Sequence, residues 1–174
     1  MHTVLRLAAA AALTLSLGCP TADDDDATTP MEVAGSYSIV GSQLETTCTG
    51  AEWDFWEIFD FMERTANDVP AMTWDIIQNG GALTADMGPA DCVWTGSVGA
   101  DGTFSLRGPC ATASMDREIT ITGNIAPFGN NFDVDGTMVI DVDRDDGAGG
   151  GPDGTPDCTV SAVELTGSGS PPAE

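Results

Sequence analysis

The chain has 174 residues; 28 are Asp or Glu, five are Arg, none is Lys, and the single histidine is His2. A formal charge of −23 repels phosphate backbones and anionic headgroups, which argues against nucleic-acid partners. With no lysine and no histidine beyond position 2, the body of the chain lacks the usual general base, Ser-His-Asp and Cys-His pairs, Schiff-base chemistry and histidine metal sites.

The first element is a short basic start with Arg6, an apolar run from Leu7 to Leu17, and then Gly18-Cys19-Pro20. Basic start, short apolar core and small residue form a signal-peptide layout. Eleven apolar residues are too few for a spanning helix, which needs about 20. The positions Ser16-Leu17-Gly18-Cys19 resemble a bacterial lipoprotein signal. Gly18 and Cys19 match that pattern, while its usual leucine is displaced to position 17. The resemblance covers about the first 20 residues. It implies cleavage before Cys19, lipid on Cys19, and a membrane held through that lipid at the bacterial cell envelope. The alternative is ordinary cleavage at the same bond and secretion.

Pro20 to Pro30 (PTADDDDATTP) is polar, acidic and proline-bounded, which predicts a disordered spacer. After cleavage four arginines face 28 acidic residues, leaving −24 on 156 residues, enough for one domain with its own core. The expected organisation is a signal peptide over 1–18, the lipidated cysteine and spacer over 19–32, one β domain over 33–167 with a helix near 50–65, and a disordered tail over 168–174.

From residue 33 onward short apolar alternations stand between turn signals, which predicts antiparallel strands. Val33, Gly35, Tyr37 and Ile39 share one parity. Ala51 to Thr65 (AEWDFWEIFDFMERT) breaks the rhythm: Phe55, Ile58, Phe59 and Met62 fall at helical spacing, and Thr49 with Glu52 has capping-box spacing. A helix of three to four turns is expected there, with Trp53 and Trp56 beside it, closing one mouth of a barrel either as a lid or as ordinary core. Met72, Trp74 and Ile76 lead to a hairpin turn at Asn79-Gly80, and Leu83 and Ala85 continue. Trp94 and Val98 turn at Asp101-Gly102 into Phe104 and Leu106. Ile119, Ile121 and Ile125 run to a turn over 127–131. Phe132, Val134, Met138, Ile140 and Val142 follow, with Gly136 marking a bulge or, alternatively, a hairpin at Asp135-Gly136. Val163 and Leu165 close the domain.

About eight strands with one-sided burial predict a mainly β fold, an antiparallel up-and-down barrel or sandwich with one inserted amphipathic helix. The rhythm, including Gly35-Ser36-Tyr37, weakly resembles lipocalin-like and avidin-like small barrels; none of their ligand-contact motifs carries over. Cys92 and Cys110 flank the hairpin at Asp101 symmetrically, so they are expected to pair, leaving Cys48 with Cys158. In a closed antiparallel barrel the end of the first strand lies beside the start of the last, which supports the same pairing.

Asp141, Asp143 and Asp145 alternate as in a calcium loop, and Asp153 and Asp157 follow in an Asp-Gly-x-x-Asp piece, making calcium a candidate ligand. Pro152 and Asp146 depart from the EF-hand pattern, and a flexible solvated loop is the alternative. No catalytic residue stands out among so many carboxylates. The functional expectation is a membrane-anchored, non-enzymatic β domain binding a partner or small ligand. The alternatives are a structural envelope lipoprotein without a ligand and, remotely, a carboxylate-dependent glycoside hydrolase.

Overall fold

The computed structural model describes residues 29–49, 55–67, 69–88, 92–110, 115–144 and 157–171. The expected signal peptide, the candidate lipidation site Cys19, most of the expected spacer, Trp53, Asp145 and Asp153 lie outside them. Among the described residues one antiparallel sheet holds nine strands: β1 Gly35–Cys48, β2 Glu63–Arg64, β3 Pro70–Asn79, β4 Ala82–Asp86, β5 Val93–Val98, β6 Thr103–Pro109, β7 Met115–Phe128, β8 Asn131–Arg144 and β9 Cys158–Ser170. Sequential neighbours pair from β3 to β9. β1 then pairs with β9 on one side and with β3 on the other, so eight strands form a near-ring. β2 is a two-residue addition to β3.

The alternation in the sequence is the alternation of the wall. Tyr37 and Ile39, Trp74 and Ile76, Leu83 and Ala85, Phe104 and Leu106, Ile119 and Ile121, and Met138 and Ile140 all point inward and are buried. Trp74 meets Phe104 edge-on at 6.1 Å. Tyr37 sits on β9 where there is no side chain: a Cβ on Gly169 would lie 2.1 Å from its ring. Burial pushes the Tyr37 phenol above its ordinary range, and its hydroxyl donates to the Val33 carbonyl at 2.5 Å.

The turns follow the expected chemistry with one shift. Asn79 pairs with Ala82, so the two-residue loop is Gly80-Gly81 and not Asn79-Gly80; Gly80, with φ 57°, takes the left-handed position. The Asp101 carboxylate accepts from the Thr103 amide and hydroxyl, which holds it below the usual carboxylate range and shapes the β5–β6 turn. β8 runs unbroken through Gly136, and the register with β9 shifts between Gly136 and Met138; the Asp135-Gly136 hairpin does not form. Both expected disulfides are present, Cys48–Cys158 across β1 and β9 and Cys92–Cys110 at the foot of β5 and β6.

Three expectations are corrected. The helix is a single turn, α1, Phe55–Ile58, among the described residues. After it the chain turns, with the Met62 amide bonded to the Phe59 carbonyl, and becomes β2. Aromatic residues are mediocre helix formers. Here Phe59, Phe61 and Met62 gain more by burying themselves in the ring mouth, where Phe61 meets Trp94 edge-on at 6.0 Å. The tail is also shorter than expected: β9 continues to Ser170, pairing Ser168 with both Ser38 and Asp133. Finally, the ordered domain begins before residue 33. Met31 donates its amide to Gly99, and the Gln78 side chain clamps this segment by donating to the Met31 carbonyl and accepting from the Val33 amide.

Candidate functional site

The ring interior is occupied. Trp74, Trp94, Phe104 and Met138, the side chains that could have bordered a hollow, are all buried in one core. At the mouth under α1, Arg117 is the one buried charged residue among those described. It points inward from β7. Its Nε donates to the Cys110 carbonyl at 2.7 Å, and its guanidinium donates to the Ile58 carbonyl at 3.0 Å and to the Asp60 carboxylate. The arginine thus ties the α1–β2 segment to the β6–β7 end of the ring. Arg64, outside, stacks over Trp56 at 3.8 Å.

Among the described residues the wall is interrupted along β3. β3 gives Asp75 to Asn79 to β4 and Pro70 to Ala71 to β2. Ala71 and Asp75 both also pair with β1, so β2 and β4 lie on the same side of β3. Between them Met72, Thr73 and Trp74 have no strand partner on that side among the described residues, a notch roughly 10 Å long at the usual rise per residue. β4 ends at Asp86, held in a turn by the Gly88 amide donating to its carboxylate. β2 begins only after the turn at Phe59 to Met62.

A groove of about 500 Å³ fills this notch. Its apolar side is formed by Phe61, Met62, Met72 and Met87, all buried. Its rim carries the carboxylates of Asp60, Glu63, Asp75 and Asp86, all on exposed residues, with Ser38 and Thr73 between them. Arg117 neutralises Asp60. Among the described residues no arginine pairs with Glu63, Asp75 or Asp86. Asp75 and Asp86 are direct cross-strand partners, and like charges in that position destabilise a sheet. A shallower hollow of about 340 Å³, walled by Ser36, Ser168, Ser170 and Asn131, shares Ser38 and Thr73 with the groove.

The calcium candidates are not drawn together by the described structure. Asp141 and Asp143 lie in extended β8, where the Asp141 carboxylate accepts from Thr159. Asp157 precedes β9 and takes the Thr49 amide on its carbonyl. Among the described residues no three potential ligands converge. The groove was not legible in the sequence; its one local trace is that Met62, Met72 and Met87 each stand near acidic residues.

Compared with protein-family models, with curated proteins and with solved structures, the chain gives no significant match.

Proposed function

We propose that this chain is an exported, lipid-anchored envelope protein whose domain is a small up-and-down barrel acting as a non-enzymatic binding module, with the groove in its wall as the binding site. The observation that carries this reading is the contrast between a filled ring interior and an apolar-floored groove opened by the interrupted ladder. Its volume falls within the usual range for small-ligand sites, about 300–1,000 Å³. The two disulfides support an oxidising location outside the cytoplasm. The glycoside-hydrolase alternative needs a carboxylic acid sheltered enough to keep its proton, and the rim carboxylates are exposed. The structural alternative leaves the cross-strand acidic pair as a cost without a purpose.

Methionine-methyl NMR of the oxidised full chain with 1-octanol as probe tests the binding site. The expected result is a response at Met62, Met72 and Met87 and none at Met138. A response confined to Met138 makes the domain an interior carrier. No response at any of the four supports a domain without a ligand site.

A further inference from the structure

We propose that the groove takes a small organic cation, a primary ammonium or guanidinium head on an apolar body. This rests on the groove being the binding site. The floor offers three polarisable thioethers, from Met62, Met72 and Met87, which suit a flexible apolar body better than a rigid polar one. The rim offers Glu63, Asp75 and Asp86 with no arginine opposite among the described residues, so the surface is complementary to positive charge and to N–H donors. A carboxylate pair such as Asp75 and Asp86, side by side across two strands, is costly while empty and favourable once a cation lies between its members. Among the described residues Met72, Thr73 and Trp74 lack a strand partner on the notch side of β3; a carbonyl that such an edge turns outward suits the N–H donors of a primary ammonium or a guanidinium, which a quaternary ammonium lacks. An anionic head would meet the same rim as repulsion.

The test titrates the oxidised full chain with n-octylammonium, 1-octanol and octanoate, read at the methionine methyls. Octylammonium is expected to bind at Met62, Met72 and Met87 about tenfold or more tightly than 1-octanol, and octanoate more weakly than either. Raising the salt to about 0.5 M should narrow the gap, because screening shortens to a few ångströms. The double variant Asp75→Asn with Asp86→Asn should lose about tenfold in octylammonium affinity, keep its 1-octanol affinity, and melt no lower than the parent, since the like-charge pair is gone. The Asp86→Asn change keeps a side-chain oxygen for the Gly88 amide. Equal binding of octylammonium and 1-octanol at the groove overturns the cation inference and leaves the groove reading standing. No response at the three groove methyls to any probe overturns both. An unchanged octylammonium affinity in the double variant assigns the attraction to the general negative charge of the chain and overturns the inference.

Discussion

Replacing Cys48 and Cys158 together by serine is expected to lower stability by about 4–5 kcal/mol, more than the loss of the other bridge. Cys48 and Cys158 are 110 residues apart, so their bond removes far more freedom from the unfolded chain than Cys92–Cys110, at 18 residues, which should contribute about 3 kcal/mol. The folded state adds a reason. Beyond Val40, β1 pairs only with β9 among the described residues, and the bridge fastens the far end of that one-sided stretch. Calorimetry of the two double-serine variants should show a fall in Tm of about 10–20 °C for Cys48/Cys158 and a smaller one for Cys92/Cys110. Equal losses, or the reverse order, would mean that the β1–β9 seam is held by its ladder alone.

Arg117→Ala is the second large effect, a loss of about 3 kcal/mol or more. Truncation leaves the Cys110 and Ile58 carbonyls without their donor in a buried place, at roughly 1–3 kcal/mol each. The Asp60 carboxylate, nearly half exposed, returns to water at little cost, so the ion pair itself is a minor part. Arg117→Lys should recover little of the loss: one ammonium cannot hold the Cys110 and Ile58 carbonyls along the two directions that Nε and the terminal nitrogen serve. Chemical denaturation measures both variants, and near-parental stability in Arg117→Lys would refute the geometric argument. Because Arg117 secures the turn that carries Phe61, Met62 and Glu63, its loss should also loosen the lower border of the groove.

How much of this was legible in the sequence differs by element. Period-two alternation from Tyr37 to Leu165 exposed the strands, because each has one face inside the ring and one in water. The cysteine pairing followed from the same topology. The Phe55-to-Met62 segment misled because its helical spacing is real. Yet Phe59 and Phe61, two apart, are both buried, and their destination is set by a mouth built from distant strands and by a buried arginine 59 residues from Ile58. The Ser-Gly run after Leu165 looked like a tail because its inward residues, Gly167 and Gly169, are small; they are small where Ile39 and Tyr37 fill the space. The groove left almost no trace, since it arises where two strands end short of each other on a third.

The proposed lipid anchor would connect these observations to a place in the cell. With Cys48–Cys158 and Cys92–Cys110 bonded, Cys19 is the remaining cysteine of five. Acidic residues 23–26 follow it in the sequence, where the proposed anchoring needs a spacer. Mass spectrometry of the N-terminal peptide from protein expressed in a bacterium that processes lipoproteins tests the claim most directly. Lipid anchoring predicts a chain that begins at Cys19 and carries a diacylglyceryl group on its sulfur. A chain beginning at Cys19 with a free thiol, or one that keeps residues 1–18, would contradict it.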